Sequence, residues 1–425
     1  MEPQPLENFS FATTKDIKLD IKILTTENKP LKYALVKFYY PDNDIAYEPV
    51  FKALTDSNGV LKGNFLAPAR RNSLVVDVIC PGIRRNIIFQ LKDEKLSATI
   101  NGADYKVTYS TYRNDPTPAK VSFVYVDTDK DGVEDTYDEF PTDPNKVYTL
   151  YYPAKGSWGT LAFEDSWPIK GDYDMNDLVV HYNYAMVCTR LGSYVDITAK
   201  YKVVAAGTLN SNGLGINLPF ISLFTGNKSP IEMVTGQRLT NNYIKTSSLG
   251  FEEEGVNIIP FDNHRSVAKG HVGVINAKLG DAKIDCEEVT VHVKFKDVVS
   301  PVGYSGFYNF KWGTINLYPV PFNPFLIGNG KRAYEIHQIG YDPTHNGKSA
   351  GLMSLFNTGD DAFGYRSKDG GKPWVLNFAE PFEYPVETAS LSSAYLHFDD
   401  WKAGLGYADW YMDKPGYRNN SLIYR

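Results

Sequence analysis

Five aspartates constrain this chain more than any other feature. Asp127, Asp129, Asp131, Asp135 and Asp138 occupy positions one, three, five, nine and twelve of a twelve-residue stretch, with Gly132 at position six. This is the spacing of a calcium loop. A hard divalent cation takes about six to eight oxygens, and alternate residues of a tight loop can all point inward. Val133, at position seven, is placed to offer its backbone carbonyl. Gly132 permits the sharp turn that wraps the ion. Without a cation, each close carboxylate pair costs roughly 1–4 kcal/mol, depending on screening. Position twelve is the shorter Asp138 rather than a glutamate, which makes bidentate contact harder. The flanks are not helical. Residues 121–126 read as a strand, and Pro141 and Pro144 prevent a helix from following. The expected role is therefore a structural staple at a junction, and the plain alternative is a solvated acidic turn.

The chain is long for one domain, at 425 residues, so two or three domains are expected. Its net charge of −6, without a long basic run, argues against nucleic acid or an anionic membrane as partner. Thirty tyrosines, 25 prolines and 34 glycines suit short strands joined by many turns, and sustained helical periodicity is missing. The fold class expected is mainly β. Three cysteines, Cys80, Cys188 and Cys286, cannot form a disulfide scaffold, and buried free thiols are expected. No run of 18 apolar residues is present, so no transmembrane helix is expected.

Residues 1–14 read as an exposed tether from which a targeting segment has been removed. Residues 15–105 read as a small β-sandwich. There Ile17, Leu19, Ile21 and Ile23 share one face, further strands are expected near 34–39, 74–79 and 86–91, and Asn58-Gly59 gives a hairpin signal. The Thr55-Asp56 turn, with Gly59 and then Gly63, resembles transthyretin-like, prealbumin-like and Ig-like sandwiches that act as spacers in bacterial surface proteins. Residues 106–146 form a linker holding the acidic loop, with a turn-rich break at 114–118. Residues 147–425 read as a large antiparallel β-sandwich, jelly-roll-like, with strands expected at 178–187, 193–204, 289–295 and 309–316. Within it, 206–285 reads as loop-rich and about 331–425 as turn-rich.

A second acidic cluster lies at the start of this region. Asp172, Asp174 and Asn176 alternate and can present oxygens to one side, with Asp165 and Asp177 approaching from neighbouring turns. Calcium suits such an oxygen-rich loop entering a strand. The alternative is that these carboxylates cap backbone amides.

Together these stretches resemble the LruC-domain family of secreted or surface-anchored Bacteroidetes-type proteins. The resemblance rests on the 127–138 loop with Phe140-Pro141 and Asp143-Pro144, on Phe163-Glu164-Asp165 with Trp167-Pro168, and on Gly171-Asp172-Tyr173-Asp174 with Asn176-Asp177-Leu178. It extends to Ala205-Ala206-Gly207, Asn212-Gly213, Phe356-Asn357, Asp360-Asp361, Pro373-Trp374 and Asp413-Lys414-Pro415-Gly416, covering roughly residues 120–425. One departure is Gln338-Ile339-Gly340-Tyr341, which lacks the proline of the family pattern before glycine. The first loop is also similar to the calcium loops of thrombospondin type 3 repeats. The family resemblance implies an exported, often lipid-anchored protein with calcium at its acidic loops and no defined enzymatic activity.

No catalytic motif is visible. The seven histidines are dispersed, none lies in a zinc-protease motif, and no nucleophile elbow or phosphate-cradling loop appears. Trp374, Trp401, Trp410 and Tyr411, beside Asp399, Asp400 and Asp409, could stack on a sugar ring or fill a turn-rich core. The function expected is a calcium-stabilised, non-enzymatic surface protein, adhesive or ligand-binding, with a surface glycan or protein as partner. Alternatives are a carbohydrate-binding glycan-uptake accessory, a glycoside hydrolase or an appendage subunit.

Overall fold

The alternation near the N-terminus becomes a strand. In the computed structural model, β1 (Thr14–Leu24) buries Ile17, Leu19, Ile21 and Ile23 and turns its charged residues outward. The structure describes residues 9–41, 48–80, 86–105, 126–218, 231–240, 243–253, 256–299, 323–349, 364–368 and 371–425, with residues 4, 6 and 83 and the strand residues 309–311 and 314–316. Most of the strand-like run at 121–126, the break at 114–118 and residues 356–361 lie outside the described residues.

Six more strands complete the N-terminal sandwich. They are β2 (Leu35–Tyr39), β3 (Phe51–Leu54), β4 (Val60–Pro68), β5 (Ser73–Val78), β6 (Ile87–Gln90) and β7 (Lys95–Asn101). One sheet has the order β4-β1-β7, with β1 and β7 parallel; the other runs β3-β2-β5-β6. Asn58-Gly59 does turn the chain, but it does not close a hairpin. β3 pairs with β2, whereas β4 pairs with β1, so this turn carries the chain from one sheet to the other. The hairpin signal is corrected on that point, because turn geometry alone does not choose the next partner.

The large domain supplies the second sandwich. Its strands are β8 (Tyr148–Tyr152), β9 (Gly159–Phe163), β10 (Leu178–Cys188), β11 (Tyr194–Ala205), β12 (Gly213–Asn217), β13 (Ile231–Thr235), β14 (Asn257–Phe261), β15 (Glu288–Val299), β16 (Asn309–Lys311), β17 (Thr314–Asn316), β18 (Asn323–Ile327), β19 (Glu335–His337) and β20 (Val375–Phe378). One sheet runs β13-β15-β11-β10-β9-β20, and β8 pairs with the distal half of β10. The second runs β14-β12-β18-β19. All these pairings are antiparallel, and Leu178, Val180, Tyr201 and Val291 meet Leu214, Ile258, Phe261 and Leu326 in one core. Among the described residues β16 and β17 pair with each other alone. Mainly antiparallel β structure is thus the fold class, as the composition suggests. β12, β13 and β14 fall in the stretch that reads as loop.

Residues 379–425 fold back as turns and short helices, Leu391–Ala394 and Phe398–Lys402, around an aromatic core. Phe11 enters this core from the other end of the chain. It is 3% exposed and meets Trp401 edge-on at 6.0 Å, while Leu6 N–H donates to Lys402 O at 2.9 Å. The expected free tether is therefore docked over at least residues 9–13. The two sandwiches are also joined: Leu54 and Leu66 pack on the large core, and Leu150 and Ala154 pack on the small one.

Candidate metal centres

The first site is the 127–138 loop. Asp127, Asp129 and Asp131 each bring a carboxylate oxygen within 4.8 Å of the others. Backbone amides take both oxygens of Asp127 and one oxygen each of Asp129, Asp131 and Asp138. Asp127 accepts the amides of Lys130 and Gly132, Asp129 that of Asp131, and Asp131 that of Val133, at 2.8–3.2 Å. Asp138 accepts the Phe140 amide at 2.6 Å. Gly132 stands at φ 94°, a conformation that side-chain-bearing residues rarely adopt. After this accounting, three buried oxygens have no hydrogen-bond partner: Oδ2 of Asp129, Asp131 and Asp138. Buried polar atoms are nearly always paired, and three unpartnered oxygens in one acidic loop form a set that could hold a cation.

Electrostatics agree with the geometry. Burial, followed by the charges of Asp131, Asp129 and Asp135, pushes Asp138 up to about 6. Burial and its neighbours Asp129 and Asp127 also raise Asp131. Asp135 differs from Asp129, Asp131 and Asp138. Both its oxygens are taken by the amide and hydroxyl of Thr128, at 2.8 and 2.6 Å, and this holds its acid strength high. The loop is fastened at its far end. Val133 is buried in the large core, Val147 N–H donates to Cys188 O, and Glu139 accepts the Thr149 amide while pairing with Lys52 of the small sandwich.

The second site assembles behind β9 and ahead of β10. Glu164, Asp172 and Asp174 bring oxygens within 4.8 Å of one another. Asp174 accepts the Asn176 and Thr388 amides at 3.0 and 2.8 Å, and Glu164 Oε1 accepts the Met175 amide at 2.7 Å. Asp177 accepts the Asp165 amide, and Asp165 in turn accepts the side-chain amides of Asn210 and Asn212. Here too orphans remain: Glu164 Oε2, Asn176 Oδ1 and Glu387 Oε2. Glu164 and Asn176 are fully buried. Burial and mutual repulsion hold Glu164, Asp174 and Asp177 well above the usual carboxylate range. Close packing depends on Gly207, where a Cβ would stand 1.7 Å from Asn176 Oδ1 and 2.6 Å from Glu387 Oε2.

The sequence-predicted residues thus fall into three groups. Asp127, Asp129, Asp131 and Asp138 converge, with Asp135 turned onto Thr128. Asp172, Asp174 and Asn176 converge with Glu164 and Glu387, which sequence reasoning did not select; Asp165 and Asp177 flank them and are spent on amides. Trp374, Trp401, Trp410 and Tyr411 do not form a binding face. All four are buried, and the Tyr411 hydroxyl donates to Glu380 at 2.5 Å.

A third polar cluster is closed by its own bonds. Arg332 grips Glu252 through Nε and Nη2, both at 2.6 Å. Glu335 accepts from the Thr344 amide at 2.7 Å and lies 3.0 Å from His337 Nε2, while His337 Nδ1 lies 3.0 Å from Asn323 Oδ1. Burial alone would raise Glu335, but the His337 hydrogen bond and the His337 and Arg332 charges bring it down to about 2. This network ties β18 and β19 to the Glu252 loop.

A model of a domain of unknown function, DUF4842, matches residues 192–411, more than half of the chain. A second domain of unknown function, DUF8469, matches residues 15–100, the span of the small sandwich. Among solved structures, the chain is similar to a "Putative lipoprotein from Bacteroides ovatus", with 14% identity and a TM-score of 0.50 over 92% of this chain and 99% of that one. At this identity the likeness is one of fold. No curated protein matches the chain.

Proposed function

We propose, for a chain that belongs to the DUF4842 family, a calcium-stabilised, non-enzymatic role at the bacterial cell surface, adhesive or ligand-binding. One observation supports the address: the fold is like that of a solved protein described as a "Putative lipoprotein". The LruC resemblance of the acidic motifs points the same way.

One observation carries the calcium reading: Asp129, Asp131 and Asp138 each keep a buried oxygen without a partner inside one loop. Asp127, Asp129, Asp131 and Asp138 would hold the ion, and Gly132 would set the turn. Bound there, calcium would remove the carboxylate repulsion and join the linker to β8, β10 and Lys52. Glu164, Asp172, Asp174, Asn176 and Glu387 form a second oxygen set of the same kind. In the aromatic cluster, burial of all four rings favours a core role over sugar stacking.

Isothermal titration of chelator-stripped protein with calcium tests the reading. Extracellular calcium modules bind at roughly 0.1–1 mM, and saturable binding of that order is expected. Asp131→Asn should weaken one class of sites and leave any second class in place. Absence of any calcium heat, with no metal in the stripped protein, would refute the reading.

A further inference from the structure

The two sandwiches leave an open-mouthed cavity of about 410 Å³ between β3 and β4 on one side and β8 and β10 on the other. This lies within the roughly 300–1,000 Å³ range of small-molecule sites, which favour domain boundaries. Its walls are apolar: Phe51, Leu54 and Leu66 from the small sandwich face Leu150, Met186 and Tyr194 from the large domain.

The cavity carries a charge signature as well. Arg190 lines it, half-buried, with its guanidinium 4.7 Å from the centre of the Tyr33 ring. Among the described residues no carboxylate lies within ion-pair distance of Arg190, although its charge reaches Asp131 of the neighbouring acidic loop. Lys62 adds a second cation, exposed at the rim. The one carboxylate in the lining, Asp56, is turned into its own loop, where Oδ1 accepts the Asn58 and Val60 amides, both at 2.8 Å. Leu191, 66% exposed, extends the apolar surface outward.

We infer that this cleft binds a small amphipathic anion, with its apolar body between the two walls and its carboxylate or sulfonate on Arg190. A guanidinium presents a planar fork of donors suited to such a group, and the bond is strengthened where apolar walls exclude water. The cleft lies beside the first acidic loop, since a Cβ on Gly132 would stand 3.7 Å from Arg190 Nε.

Two fluorescent probes test it, in calcium-containing buffer with the full chain. They are the anionic 8-anilinonaphthalene-1-sulfonate and the neutral N-phenyl-1-naphthylamine. Both should bind saturably at one site and compete with dodecanoate. Arg190→Gln should weaken the sulfonate about tenfold or more and leave the neutral probe unchanged. Lys62→Glu, at an exposed position, should weaken the sulfonate in the same direction. Ala53→Trp, which fills the cavity, should abolish both in a protein of unchanged circular dichroism. Non-saturable binding, binding that survives Ala53→Trp, or a sulfonate affinity indifferent to both charge variants would overturn the inference.

Discussion

Arg70 holds Glu380 through two parallel hydrogen bonds, Nε to Oε1 at 2.9 Å and Nη2 to Oε2 at 2.8 Å. Both side chains are largely buried, at 17% and 16% exposure. The pair fastens the end of the small sandwich to the segment after β20. Tyr411 donates to the same carboxylate, so the aromatic C-terminal core shares the anchor. Removing the arginine leaves a buried carboxylate short of its partner. Arg70→Ala should cost about 2 kcal/mol in urea unfolding. Arg70→Lys should cost roughly half as much, because an ammonium keeps the charge but not the fork. An Arg70→Ala variant as stable as the parent would remove this pair from the account.

His264 sets an acid limit. It is fully buried, and its Nδ1 accepts the Asn212 amide at 3.2 Å. Burial, then the nearby Arg265 charge, pushes it down to about 4. The folded state therefore keeps the ring neutral, while the unfolded chain protonates it near its ordinary value of about 6.5. Protons then favour unfolding, and stability is lost as pH falls from about 6.5 towards 4. The loss from this residue is up to about 3 kcal/mol. Urea midpoints measured across that window should fall less steeply for His264→Gln than for the parent. Parallel curves would show that His264 does not titrate as described.

Gly207 is where the second acidic site is most sensitive to shape. An added methyl would overlap Asn176 Oδ1 and crowd Glu387 Oε2. Gly207→Ala should destabilise by about 1–3 kcal/mol through overpacking. The clash is steric, so this cost should persist with and without calcium. A urea midpoint unchanged from the parent would mean that the Glu387 segment yields freely.

Much of this architecture is legible in the sequence because its signals are local. The strand β1 follows strict alternation, and the first loop carries its ligands within twelve residues. β12 is not legible in that way. Gly213-Leu214-Gly215-Ile216-Asn217 is buried on both faces, so it shows no alternation, and its glycines imitate a loop. The second site is partly legible for a related reason. Asp172, Asp174 and Asn176 are close in sequence, whereas Glu387 arrives only through the returning C-terminal segment. Glu164 had a local sign, a carboxylate directly after the fully buried run Gly159–Phe163, but sequence does not show which oxygen lacks a partner. The aromatic cluster was ambiguous because stacking surfaces and cores use the same rings.

The calcium reading is tested most directly by melting the protein in excess chelator and again in millimolar calcium, alongside Asp129→Ala and Asp131→Ala. One site with free calcium tenfold above its Kd contributes about 1.4 kcal/mol, which for a chain of this length corresponds to a rise of about 1.5–2 °C. The account predicts that rise for the parent and a smaller one for each variant. A parent that melts at the same temperature in both buffers, with metal analysis showing that the chelated sample is calcium-free, would contradict it.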